Sequence, residues 1–355
     1  MVAVNSGPYG QCFDPAQGAP MPRALSRSSL ARAAALSSAL VLGSLVAAPA
    51  VAGPYANVYA FGDSLSDNGN FYALTSALFG PANALPQAGD YYLGRFSNGP
   101  AAVEVLAAGL GATLHDYAYG GAMSNEYNGP AVADNAPLKL QLTGVKSQVS
   151  SFVAGLPATG ADSSALYFVW AGANDFTYRG LSGAVVADTI GNLAGTVSTL
   201  YAAGARDFLL PLLPDLGLTP AGLSLGAGTS AILSGFSKSF NDGLEGTYAA
   251  LAATLPGAHL ATFDTLAAQR ELIAHPAANG LSNVTDACFT GNVGTSGTTC
   301  ADASGYFYWD LRHPTATTHA ILGNQMLAAV PEPQSLLMMA AGVLVLLAMG
   351  RRRRV

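Results

Sequence analysis

The stretch FGDSLSDNGN, Phe61 to Asn70, follows the apolar run Val58-Tyr59-Ala60. Asp, Asn, Gly and Ser are all turn formers. A turn leaving the end of a buried strand is also where open α/β sheets place their ligand sites. The stretch therefore reads either as an ordinary strand-ending turn or as a turn that presents the Ser64 hydroxyl. Residues far from it decide between the two.

Outward from this stretch, short apolar runs at residues 58–61, 165–170, 208–213 and 259–263 read as strands. Residues 101–110, 181–203, 231–255 and 317–329 read as helices. Fully apolar strands alternating with helices imply a parallel sheet covered on both faces. The expected fold is one three-layer α/β/α domain with a mainly parallel sheet, spanning residues 53–330.

Both ends read as processing segments. Residues 1–20 fit no signal pattern and are expected to be a disordered leader ahead of a natural start at Met21. Residues 21–52 carry Arg23, Arg27 and Arg32, then an apolar core, then Ala50-Val51-Ala52, the order of a secretory signal peptide. At the other end, Pro331-Glu332-Pro333 breaks the chain, residues 336–350 are uncharged and apolar, and Arg351 to Arg354 form a cationic stop. This apolar run is shorter than the ~17–25 residues a membrane helix usually needs. The order resembles the PEP-CTERM sorting signal of Gram-negative bacteria, here residues 331–355. That resemblance implies a short membrane helix, processing by an exosortase, and a link to exopolysaccharide.

The whole chain has 15 basic and 21 acidic residues. Residues 53–330 keep 8 of those basic and 19 of those acidic residues, a net charge of about −11. Such a surface keeps the protein soluble and gives it no attraction to anionic partners. No basic patch occurs between the two ends, which excludes nucleic acid as a partner. Cys288 and Cys300 form an even pair in an exported chain and are expected to be disulfide-bonded.

Ester cleavage by a serine needs a hydroxyl, a base, a group that orients the base, and donors for the oxyanion. Four blocks supply them: the opening stretch, Asp116-Tyr117-Ala118-Tyr119-Gly120-Gly121-Ala122, Trp170-Ala171-Gly172-Ala173-Asn174-Asp175, and Tyr308-Trp309-Asp310-Leu311-Arg312-His313-Pro314-Thr315. In this order they resemble the GDSL, or SGNH, hydrolase family, which has a flavodoxin-like fold. The resemblance implies Ser64 as nucleophile at the start of a helix, Asp310 and His313 as its partners, and the Ser64 N–H, the Gly121 N–H and the Asn174 amide as oxyanion donors. Gly120 is the alternative to Gly121. Asp116 stands where the family often has Asn. His319 is assigned a structural role. The opening stretch with a late DLRHPT resembles the phospholipase/lecithinase/haemolysin branch, which implies an exported acyl-ester hydrolase without metal or organic cofactor. A carbohydrate O-acetylesterase and a non-catalytic matrix component are the alternatives.

Two other patterns are weighed. Gly222-Leu223-Ser224-Leu225-Gly226 matches a G-x-S-x-G elbow, with Asp264 and His275 as partners, but no strand runs into it, so it reads as a flexible loop. Asp63, Asp67 and Asn70 lack the alternate spacing of a calcium loop. Tyr91, Tyr92 and Phe96 are candidate walls of an acyl groove.

Overall fold

The computed structural model describes residues 55–330. The leader, signal peptide and sorting-tail expectations lie outside the described residues. No helix among the described residues is long and apolar enough to cross a membrane.

Five parallel strands form the central sheet: β1 (Asn57–Gly62), β2 (Thr113–Asp116), β3 (Leu166–Trp170), β4 (Asp207–Pro211) and β5 (His259–Phe263). Their order is β2-β1-β3-β4-β5. The expected sheet is therefore present, with β2 as an edge strand the sequence did not reveal. Thr-Leu-His-Asp is short and polar, which hides it. A second pair joins β6 (Asn283–Ala287) to β7 (Tyr306–Tyr308).

Strand residues alternate between two cores. Phe61, Tyr167, Val169, Phe208 and Leu210 face one layer. That layer comprises Val145–Ala154, Gly183–Ala203 and Ala227–Ala252. Val58, Ala60, Leu166, Phe168, Trp170 and Leu209 face the other layer. There lie Ala102–Leu110, Thr265–Ala274 and Ala316–Leu327. Burial on both faces is why these strands read as continuous apolar runs.

His319, in Ala316–Leu327, is 1% exposed, and its Nδ1 accepts the Ala102 N–H at 3.1 Å. This ties the last helix to the start of Ala102–Leu110. Burial, with a smaller contribution from the His313 charge, holds the His319 imidazole down to about 3. The unfolded chain protonates it near its ordinary 6.5. Between these values the unfolded state binds the extra proton, so stability is lost as pH falls. Thermal melts taken from about pH 7 to about pH 4 are expected to drop less steeply in His319→Asn, whose side-chain oxygen can still accept the Ala102 N–H. Parallel curves for the two proteins would remove His319 from the acid response.

The strand order 2-1-3-4-5 reverses direction between β1 and β3, the switch point where such folds open a crevice. Ser64 follows β1 and Asn174 follows β3, so both stand at that crevice.

Candidate active site

β1 ends at Gly62, where a Cβ would collide with the Trp170 carbonyl of the neighbouring strand. The glycine is needed for this close approach. Gln148 clamps the same peptide, accepting the Gly62 N–H at 2.9 Å and donating to the Gly62 carbonyl at 2.8 Å. The chain then turns sharply, with the Ser66 and Asp67 N–H groups both donating to the Asp63 carbonyl at 3.0 Å. Ser64 projects from this turn. The helix expected to start at Ser64 starts at Asn70 instead (α1, Asn70–Phe79), because the buried Asp67 carboxylate captures its first N–H groups.

Asp67 accepts four N–H donors, from Gly69, Asn70, Phe71 and Gly120, at 2.8, 2.7, 3.1 and 2.7 Å. Burial pushes its carboxyl up to about 6 against these donors. The first two belong to the opening stretch, Phe71 directly follows it, and Gly120 lies in the second block. One side chain thus joins the nucleophile turn to the glycine loop. Asp116 does the same from the other side, accepting the Asn68 N–H at 2.9 Å and the Ala118 N–H at 2.8 Å. The acid at this unusual position is thereby explained as a brace.

The Gly120 N–H is engaged by Asp67, and its carbonyl accepts from Asn128 at 2.7 Å. Gly121 has φ +78°, a conformation that favours glycine, and its N–H has no acceptor among the described residues. The Ser64 N–H has none either. Asn174 lies in Ala173–Arg179, and its Nδ2 donates to the Ala122 carbonyl at 3.1 Å and stands 3.5 Å from Asp63 Oδ2. Burial pushes the Asp63 carboxyl up to about 7, against the Leu65 N–H and the His313 charge. Asp175 fixes the loop beside Asn174, accepting the Ser124 N–H at 2.7 Å and its hydroxyl at 2.8 Å.

The last block follows β7. His313 Nε2 lies 2.8 Å from Ser64 Oγ. Its Nδ1 lies 2.9 and 2.8 Å from the two Asp310 oxygens. Asp310 Oδ1 also accepts the Arg312 and His313 N–H groups at 2.8 and 2.9 Å. Burial raises the Asp310 carboxyl; the His313 charge and these N–H groups outweigh it and hold the group below the ordinary carboxylate range. Cys288 and Cys300 are bonded to each other. The bridged loop is pinned beneath this block, with the Cys288 and Phe289 N–H groups donating to the Tyr308 and Trp309 carbonyls at 3.1 and 2.6 Å.

Ser64, Gly121, Asn174 and His313 line one cavity of about 360 Å³. Phe96, Phe176, Leu181, Leu216, Leu225 and Leu233 give it a largely apolar wall. Of the expected groove aromatics, Phe96 takes that place. Tyr91 is buried and donates to Asp310, while Tyr92 is half-exposed beneath the Arg95 guanidinium. Sequence reasoning missed the contacts of Asp67 with Gly120 and of Tyr91 with Asp310, which join residues 53 and 219 positions apart.

The G-x-S-x-G pattern forms no loop. Thr219 caps a short helix, Pro220–Ser224, and Ala227–Ala252 follows. The Thr-Pro pair there is a helix-start signal that the glycines obscured. Its supposed partners are occupied elsewhere: Asp264 caps Thr265–Ala274, and His275 pairs with Glu271 at 2.9 Å. No cluster of three or more potential metal-ligating His, Cys, Asp or Glu side chains occurs among the described residues.

Residues 329–354 match the PEP-CTERM protein-sorting motif, which points to export and surface sorting in Gram-negative bacteria. The thermolabile hemolysin of Vibrio parahaemolyticus is 29% identical over 76% of this chain, which spans 62% of that protein. A GDSL esterase/lipase of Arabidopsis thaliana is 30% identical, with 76% of this chain and 88% of the relative covered. Among solved structures, a lipolytic G-D-S-L family member from Veillonella parvula is similar at 12% identity and a TM-score of 0.42, covering 77% of this chain and 96% of that one. The GDSL-like Lipase/Acylhydrolase model matches residues 58–326, all four blocks included, and the chain belongs to that family of ester-bond hydrolases.

Proposed function

We propose that the protein is an exported serine esterase/lipase that cleaves acyl esters through Ser64, His313 and Asp310. The observation that carries this reading is the continuous hydrogen-bonded chain from Ser64 Oγ through His313 to Asp310, opening into a largely apolar cavity. In the first step His313 Nε2 takes the Ser64 proton as Oγ attacks the ester carbonyl. Asp310 holds the Nδ1–H and stabilises the imidazolium. The Ser64 and Gly121 N–H groups and the Asn174 amide receive the oxyanion. Gly121 is preferred to Gly120 because the Gly120 N–H is already bonded to Asp67. His313 then returns the proton to the alcohol, and water releases the acid by the reverse sequence.

In this reading residues 21–52 direct export, residues 53–330 form the hydrolase, and residues 331–355 touch the membrane through their apolar run until an exosortase-type enzyme removes them. The product resides in the cell envelope or outside the cell. The apolar wall favours a hydrocarbon acyl chain over an acetyl group on a sugar.

The test is hydrolysis of p-nitrophenyl esters from acetyl to palmitoyl by residues 53–330. Activity is expected on butyryl and longer chains. Activity on acetyl alone would replace this reading with carbohydrate deacetylation, and folded protein inert on every ester would favour a non-catalytic matrix component.

A further inference from the structure

Asp310 receives one side-chain donor that the proposed mechanism does not use. The Tyr91 hydroxyl donates to Asp310 Oδ2 at 2.7 Å, from a segment 219 residues away. Oδ2 is also the oxygen 2.8 Å from His313 Nδ1. Tyr91 is 4% exposed and Asp310 5%. The contact is therefore shielded from water, where a hydrogen bond to a charged group counts most.

The tyrosine ring is itself held firmly. Phe289 meets it edge-on at 5.6 Å and Trp309 edge-on at 6.4 Å. Phe289 and Trp309 stack on each other at 5.6 Å with an 11° tilt. Phe289 is the neighbour of Cys288, so the bridged loop backs this platform. Burial, and then the Asp310 charge, push the hydroxyl above the ordinary tyrosine range, so that it donates to the carboxylate.

We propose that Tyr91 is a positioning residue for the reaction: a fourth member of the chain Tyr91–Asp310–His313–Ser64 that fixes the Asp310 carboxylate against His313. The inference rests on the serine-hydrolase reading above. Two donors to Oδ1 and one to Oδ2 pin the carboxylate, leaving it one orientation toward Nδ1. The donation from Tyr91 also spreads part of the carboxylate charge away from His313.

The test is Tyr91→Phe, which removes one oxygen and leaves the ring in place. The expected result is a fall in kcat of about tenfold with little change in KM, since the hydroxyl does not line the cavity. On an Asp310→Asn background the same change is expected to cost much less, because the two residues act as one unit. A kcat within twofold of the parent, or a loss that falls on KM instead of kcat, would overturn the proposal. So would equal losses on both backgrounds. Phe289→Leu loosens the platform but keeps the hydroxyl, and a smaller loss in the same direction is expected. Ser64→Ala measured in parallel separates the two claims. If that variant retains the parent's rate, the hydrolase reading falls; if it is inactive and Tyr91→Phe is unaffected, only the role of Tyr91 falls.

Discussion

Ser64→Ala is expected to lower kcat by about five to six orders of magnitude on any ester the parent cleaves. The hydroxyl is the atom that would form the acyl-enzyme, and His313 Nε2 lies 2.8 Å from it. His313→Ala is expected to cost about as much alone, because an unassisted serine hydroxyl is a weak nucleophile. The double variant is expected to be no worse than either single one, since the two groups act in one step. Steady-state kinetics on the best p-nitrophenyl ester measures all three. Multiplying losses in the double variant would show that Ser64 and His313 do not share a step.

Asp310→Asn is expected to lower kcat by about four orders of magnitude while leaving the fold intact. The local donors dictate this. Oδ1 accepts two backbone N–H groups, so the amide oxygen of the variant must take that place. The amide nitrogen is then forced to the Oδ2 position, 2.8 Å from His313 Nδ1. An Nδ1–H would then meet the amide N–H at the closer of its two contacts and keep only the amide oxygen, 2.9 Å away, so the tautomer with its proton on Nε2, facing Ser64, is the expected one. The base is lost through the wrong tautomer with no change in shape. Nitrogen NMR of His313 in the variant would read the tautomer directly. A proton still on Nδ1 together with full activity would sink the role given to Asp310.

Much of this arrangement was legible in the chain. Val58 to Phe61, Leu166 to Trp170 and the run ending at Pro211 show as strands because both faces of the sheet are covered. The four blocks show because each stands at a chain turn with turn-forming or titratable residues. What stayed hidden depends on distant partners. Nothing near Gly120 or Gly121 says which N–H is free; Asp67, 53 residues earlier, decides it. Nothing near Tyr91 shows that it meets Asp310 rather than lining the cavity. The start of α1 was misjudged because a side-chain cap three residues upstream of Asn70 overrides the turn sequence at Ser64. The Gly-rich 222–226 segment was misread because glycine content concealed the Thr219-Pro220 helix start.

The tie between His319 and Ala102 has a consequence in time. Ser64 lies near the beginning of the described chain and His313 near its end, 249 residues apart. The helix Ala316–Leu327 is what draws the late segment down onto Ala102–Leu110. In the proposed mechanism, a chain emerging amino end first would carry its hydroxyl long before its base arrives. Under that reading the reaction waits until the last helix has docked.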